Sequence, residues 1–594
     1  MKIRVKEVLK KLESDHVPTL SHKELFLATT DLLPVTDEKK TWDSWTFVGF
    51  WVADCFNLNT FLIASSMITA GLNWWQSLLC VVIGYSMVGP FIVLNARPEA
   101  VWGLVFPAVC RTTFGVFGTF WPIFTRATIA CVWWGSQCWL GGQCVHVLIR
   151  AIWPSFTSIK NTMPASTGTS TDYVISFIIF WLLSLPTIWV PIHKLRWYLF
   201  AKAIVGPLAG LTLLGWSVKR AGGAGPIFSQ TATLKGSKLA WQMVTSISDC
   251  FGNLVTLIVN APDFASRAKT PSASVWSQLI TMPLGFSITS FLGIVICSSS
   301  AVQWAQPIWN VIKIMEAMLD GAEPSRRAGL AFIAMGFIYV TLLMNVVGNS
   351  IAAGCDFTAL FPRYLSIRRG GYIAAIVGIC MAYLIMMIFN KNPWLLYKSP
   401  QTLTKFLAAN GIFLACIAGP MISDYWLVRK VHVRINDLYV ADKKGWYWYT
   451  AGMNWRGYLG MLCGFAINLP GFISTIHPSI KVSQGAMKLY YLLWLTGPGV
   501  SGLVYYLACL LSPPPGMSKI FEEVNELAGE PRVDQIVQTN GALTSAAATM
   551  SALSTAPEIE AGPQRSEREV RSSNDIADFA IRNTGDVIKR SVTR

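Results

Sequence analysis

Charge is scarce in this chain. Only 13% of its 594 residues are Asp, Glu, Lys or Arg, about half the share of a soluble globular protein. A soluble domain of this length could not cover its surface with so few. Histidine is rarer still, six in all, with no spacing that gathers a metal ion. None of the thirteen cysteines forms a CxxC pair, and most, among them Cys131, Cys138, Cys250 and Cys416, lie inside apolar runs. They read as small core residues rather than disulfide partners or metal ligands. The sequence also lacks HExxH, GxSxG, a Walker loop and a GxGxxG that follows a strand. An enzyme, a cofactor and an ATP-driven pump are therefore not expected.

What the chain has instead is apolar length. Hydrophobic residues make up 53% of it, and mean hydropathy is +0.45. They fall in runs of about 20, the length that crosses a hydrocarbon core of about 30 Å. About twelve such segments can be drawn, near 45–70, 74–95, 118–148, 173–192, 195–216, 240–262, 276–300, 328–354, 371–390, 402–427, 455–476 and 487–511. The third and eighth carry enough polar residues to lower a hydropathy window. The sequence thus predicts an all-α integral membrane protein of about 12 transmembrane helices. It divides into a cytoplasmic arm at 1–44, a membrane domain at 45–511 and a cytoplasmic tail at 512–594. The tail opens on Ser512–Gly516 and turns rich in Ser, Ala, Glu and Arg, a composition that buries too little apolar surface to order itself. It is either regulatory or a plain linker.

The net charge of +16 is spread over short loops rather than gathered on a basic helix, so no nucleic-acid partner is expected. The positive-inside rule accounts for it better. Lys2, Arg4, Lys6, Lys10, Lys11, Lys23, Lys39 and Lys40 lie in the arm, and Arg97, Arg111, Lys194, Arg196, Arg267, Lys269, Arg363, Arg368, Arg369, Arg429, Lys430 and Arg434 in even-to-odd connections. Lys219, Arg220, Lys235, Lys238, Arg326 and Arg327 run against the rule. An even helix count puts both termini in the cytoplasm. The first 40 residues are polar and the first apolar run is long and late, so no cleaved signal peptide is expected. Among 25 tryptophans, Trp45, Trp51, Trp74, Trp75, Trp153, Trp189 and Trp197 fall near predicted helix ends, where aromatic belts sit.

Four segments carry polar groups that a lipid-facing span would not. In the sixth, Gly252–Asn253 reads as an early interruption and Asn260 to Asp263 as its end. A broken helix persists at membrane depth only where it lines a cavity or is buried in protein, although a glycine bend is the plainer reading. The first segment holds Asp54, Asn57, Asn59 and Thr60. An ionisable group there is costly and marks function by default, so Asp54 is a candidate carrier of the coupling ion. In the third, Trp133 and Gln137 are four apart and share a helix face, setting a flat apolar ring beside an amide with donor and acceptor. In the eighth, Asn345 and Asn349 repeat that spacing. Single amides more often hold helices together, but the two faces together suit a planar heterocycle with an amide-like edge. If segments one to five and six to ten are inverted copies, one matches six and three matches eight.

With these residues in view, the sequence resembles the fungal Fur-type branch of the nucleobase–cation symporter family, from about Leu27 to Leu511. The likeness rests on ATTDLLPV, TWDSWTFVGFWVADCFNLNTFLIASSMI, WWGSQCWLGGQCV, LIVNAPDF, GNSIAAGCDFTALFPRYLSIRRGGYI and SDYWLVRK with the following INDLY. The resemblance implies two inverted five-helix repeats plus two peripheral helices, and alternating access around a site between segments one, three, six and eight. It implies a plasma-membrane symporter of a small heterocycle such as uracil, allantoin or uric acid. Thiamine or nucleoside transport within the family, or a sensor that binds without transporting, are the alternatives. By the family's motifs Trp133 stacks on the substrate, while Gln137 and Asn349 bond its polar edge. Asn345, Phe251, Asn253 and Asn57 complete the expected substrate-binding set. Two departures matter. Positions that carry hydroxyls in a sodium-coupled relative hold Leu343 and Met344, which cannot ligate a hard cation, and that favours a proton as co-substrate. The stacking aromatic expected in segment six is Leu254, with Phe251 three residues before it. The Arg expected after the PDF motif is displaced to Arg267 and is given no role.

Overall fold

The computed structural model describes residues 26–28, 31–164, 168–389 and 399–521, and for residues 193, 381–389, 400, 401 and 404 the backbone alone. Most of the expected arm, with Lys2 to Lys23, and the tail beyond 521 lie outside the described residues. Helix follows helix from Ser44 to Leu511, and among the described residues no strand forms beyond two isolated bridges, Trp42 with Ala268 and Thr450 with Met453.

The elements are α1 (Ser44–Cys55), α2 (Leu58–Thr69), α3 (Trp74–Trp102), α4 (Phe106–Phe114), α5 (Phe120–Ile152), α6 (Thr171–Ile188), α7 (Ile192–Ala221), α8 (Gly236–Ala265) and α9 (Trp276–Trp304). Then come α10 (Val311–Leu319), α11 (Pro324–Asn345), α12 (Ile351–Leu360), α13 (Ile367–Phe389), α14 (Pro400–Ser423), α15 (Trp455–Ile476), α16 (Gln484–Tyr491) and α17 (Leu493–Leu511). Among the described residues, nine helices are long and apolar enough to cross a membrane, ten when the bent pair α1–α2 counts as one. The 33-residue α5 and the 23-residue α13 would reach about 50 and 35 Å at 1.5 Å per residue, but are not among the ten. Amides and glycines around Trp133 lower the hydropathy of α5. Ile204, Leu208 and Leu211 of α7 and Ile280, Leu284 and Ile288 of α9 are each more than half exposed. Such a surface suits lipid, not water.

The irregular helices are not all where the sequence pointed. The sixth segment is one unbroken 30-residue helix, α8, through Gly252 and Asn253 to Ala265. Gly252 serves packing instead: a β-carbon there would lie 2.6 Å from the Leu407 carbonyl oxygen of α14, so the missing side chain lets two backbones approach. The real break is in the first segment. There α1 ends at Cys55 and α2 starts at Leu58, with a bend of 51°. Asn57 makes it affordable. Its side chain accepts from the Thr60 amide at 3.1 Å, capping α2, and donates to the Asp54 carbonyl at 2.5 Å, closing α1. Buried backbone groups at a break must find such partners. A second irregularity is a π-helical turn at Val346–Ser350 between α11 and α12, and a third follows α14 at Asp424–Val428. Trp51, expected near a helix end, is fully buried and donates its indole N–H to Gln278 at 3.1 Å.

Two nine-residue helices had no counterpart in the expected segments. α4 connects α3 to α5, and α10 connects α9 to α11. The tightest long pairing is α3 along α8, and α5 packs against α11, α6, α13 and α12. Residues of α2, α5, α8 and the π turn come together at one point.

Candidate substrate site

At that point lies a small cavity of about 20 Å3, lined by Asn57, Asn59, Trp133, Gln137, Asn253, Leu254, Thr256, Leu257, Met344, Gly348 and Asn349. The break between α1 and α2 turns Asn57 and Asn59 towards it. One face of α5 supplies Trp133 and Gln137, and α8 supplies Asn253, Leu254, Thr256 and Leu257. The π turn supplies Gly348 and Asn349. A π turn inserts one extra residue and leaves carbonyls misaligned with the helical ladder, a device common at functional sites. Here Asn260 of α8 donates its side-chain amide to the Gly348 carbonyl at 3.0 Å, so a neighbouring helix holds the turn.

The lining is apolar on two sides and amide-rich between them. Trp133 is 4% exposed and its ring meets Phe406 of α14 edge-on, with centroids 5.1 Å apart. Leu254, Leu257 and Met344 add aliphatic surface. Gln137 has no hydrogen-bond partner among the described residues, so both ends of its amide are open. Asn349 donates to the Asn345 side-chain oxygen at 2.9 Å, which leaves its own oxygen as an acceptor. Asn253 donates to the Tyr85 hydroxyl at 3.1 Å, and Tyr85 stacks on Phe286 at 4.1 Å. No lining residue carries a charge. Such a site can grip a flat neutral molecule between apolar walls and satisfy amide-like edges, but it offers no counter-charge for an ion.

Of the residues singled out from sequence, Trp133, Gln137, Asn349, Asn253 and Asn57 share this cavity. Asn345 does not line it. That side chain is fully buried behind Asn349 and donates to the Trp134 carbonyl and the Cys138 sulfur, both at 3.3 Å. Phe251 is also outside it, packed edge-on against Phe91 of α3 at 5.8 Å. Asp54 sits beside the break, 4% exposed, with Oδ2 unpartnered among the described residues and Lys202 of α7 as the cation facing it. Sequence reasoning missed Thr256, Leu257, Gly348 and the supporting Asn260. The LIVNAPDF motif pointed at Asn260 but not at its task. A wider cleft of about 330 Å3, lined by Asp31, Ile188, Ser366 and Arg368 among others, reaches Val346 and Ser350 of the same π turn.

A helical membrane protein with an uncharged cavity between four helices is built as a small-molecule permease. Residues 34–497 match the family described as permeases for cytosine/purines, uracil, thiamine and allantoin, and the chain belongs to that family. It is 37% identical to an allantoin permease of Saccharomyces cerevisiae over 509 residues, covering 84% of this chain and 78% of that one. It is 35% identical to the uracil permease of the same yeast over 499 residues, covering 83% and 77%. Among solved structures it is similar to a nucleobase-cation-symport-1 family transporter in a closed conformation with bromovinylhydantoin bound. The TM-score is 0.62 at 20% identity, over 83% of this chain and 98% of that one. The fold is that of the nucleobase–cation symporters.

Proposed function

We propose that this chain is a proton symporter of a small neutral heterocycle of the nucleobase or allantoin class, working by alternating access in the plasma membrane. The observation that carries the reading is the uncharged, amide-lined cavity beside Trp133. In it Trp133 stacks on the ring, and Gln137 and Asn349 bond its carbonyl and N–H edge. Asn57 and Asn253 complete the polar rim. A cationic substrate such as thiamine would meet no counter-charge there, which favours the neutral members of the substrate range.

The architecture is read as twelve spans, two inverted five-helix repeats plus two peripheral helices. What supports the repeat is the place of the two nine-residue helices: α4 follows the second span of the first half, and α10 follows the second span of the second half. Loop charges support cytoplasmic termini. Proton rather than sodium coupling is supported by Leu343, 2% exposed, and Met344 on the cavity wall, neither of which offers a hard cation an oxygen. Asp54, facing Lys202 next to the substrate cavity, is the proposed carrier.

The test is uptake of labelled uracil and allantoin in cells lacking their own nucleobase transporters. Uptake abolished by a protonophore, indifferent to sodium, and lost in Trp133→Ala and Gln137→Ala is the expected result. Full uptake in both variants would remove the site. Sodium dependence would overturn the coupling, and binding without flux would make the chain a sensor.

A further inference from the structure

The proposed function leaves a buried cluster around Arg126 unused. At the end of the bundle where Ser44 begins and Leu360 ends, Arg126 of α5 is 1% exposed and holds two carboxylates. Its Nε and Nη2 donate to Asp356 of α12 at 2.8 and 2.6 Å, and its Nη1 donates to Asp263 of α8 at 2.9 Å. Nη1 also reaches the Val259 carbonyl at 2.8 Å, and the guanidinium lies 4.0 Å from the Phe106 ring of α4. Asp263 in turn accepts from the Phe106 amide at 2.9 Å. Asp356 travels with Arg126, since α12 packs on α5. Asp263 travels with α3, which packs along α8. The Arg126–Asp263 bond therefore ties two packed units across one end of the molecule. It lies seven residues, about 10 Å, from Trp133.

Glu99 of α3 faces this cluster. It is fully buried, and among the described residues neither carboxylate oxygen has a hydrogen-bond partner. The ionisable groups facing it are Asp263 on α8, Arg126 on α5 and Cys110 on α4. Arg126 already serves two carboxylates, so a third negative charge would stand unpaired in a dry interior beside Asp263. Unpaired buried charge of this kind is expensive, and the neutral acid avoids it.

We propose that Glu99 is a proton-operated latch. It carries a proton while the Arg126–Asp263 pair closes this end, and its O–H bond breaks to give the proton to water when the pair parts and water enters. The carboxylate that remains is solvated, so opening and proton loss are one event. Acid on this side then holds the end shut. For one proton, the open-to-closed ratio changes about tenfold per pH unit in the range where the closed form is protonated and the open form is not. The inference rests on the alternating-access reading but not on which ion drives transport.

The experiment is a spin-label distance measurement on the full chain. Labels go on Lys269→Cys and Phe361→Cys, with Cys380 and Cys463 replaced by alanine. Distances are recorded across a pH series, with and without uracil or allantoin. The expected result is an open fraction that rises with pH in this parent protein and stays low and flat in Glu99→Gln. Glu99→Asp, one methylene shorter, is expected to keep the response with a displaced midpoint. If neither pH nor either ligand moves the distance, the alternating-access reading fails. If a ligand moves it and pH does not, the latch alone fails. An equal pH response in Glu99→Gln, or an unmoved midpoint in Glu99→Asp, also overturns it.

Discussion

Asn345 is predicted to act on substrate mainly through Asn349, and the geometry sets the size of the effect. Its side chain is fully buried and behind the cavity, so it cannot touch a ligand. Its shortest route to the site is the 2.9 Å bond it accepts from Asn349; the bonds it donates to the Trp134 carbonyl and the Cys138 sulfur of α5 are longer, at 3.3 Å. Replacing it with alanine frees the Asn349 amide to turn. A neutral side-chain hydrogen bond contributes about 0.6–1.5 kcal/mol, in membranes towards the lower figure. Asn345→Ala should therefore weaken binding about 3- to 12-fold by the same arithmetic. Asn349→Ala should cost more, since it removes an acceptor from the cavity itself. The deciding measurement is a double-mutant cycle on binding of uracil or allantoin to purified protein. In the Asn349→Ala background, Asn345→Ala should have almost no further effect, because the bond through which it acts is gone. Additive losses, or an Asn345→Ala effect above about 30-fold, too large for one neutral bond, would refute the relay and make Asn345 a contact residue.

Two further outcomes test the packing. A methyl at Gly252 meets the Leu407 backbone at 2.6 Å, whereas one at Gly215 of α7 meets nothing within 4 Å. Gly252→Ala should thus lower thermal stability in detergent by the equivalent of about 1–3 kcal/mol, and Gly215→Ala should leave it unchanged or raise it by up to about 1 kcal/mol. Similar shifts in both would sink the close-approach argument. The second concerns Glu316 of α10, a helix too short to span. Burial works against its charge, but contacts from His146, Lys313 and Tyr173 outweigh burial and bring the carboxyl from 4.5 down to about 2. A depressed carboxyl stabilises the fold above its unfolded value and loses that contribution as pH falls. Wild type should therefore exceed Glu316→Gln in melting temperature at pH 7, with the gap shrinking below about pH 4.5 and closing near pH 2. A gap that does not change with pH would contradict the assignment.

The sequence by itself determined that the chain lives in a membrane, where most of its helices begin and end, and which helix faces carry amides. Those properties are local: twenty apolar residues must be a helix in lipid, and a four-residue spacing shares a face whatever surrounds it. The family was legible for the same reason, since LIVNAPDF and WWGSQCWLGGQCV are runs of neighbours. Only the tertiary structure decided what each irregular residue is for. Gly252 read as a break because glycine loosens an isolated helix, but the presence of Leu407 makes it a contact. Asn57 read as one polar residue among several, but it caps one helix and closes another. The π turn has no sequence signature, and it puts Asn349 on the cavity wall and Asn345 behind it, although a regular helix would have turned both the same way. Scarcity of charge pointed to lipid from the first line. Which of the few buried charges are paired, and that Glu99 is not, depends on side chains brought together from five helices, and no one-dimensional pattern records that.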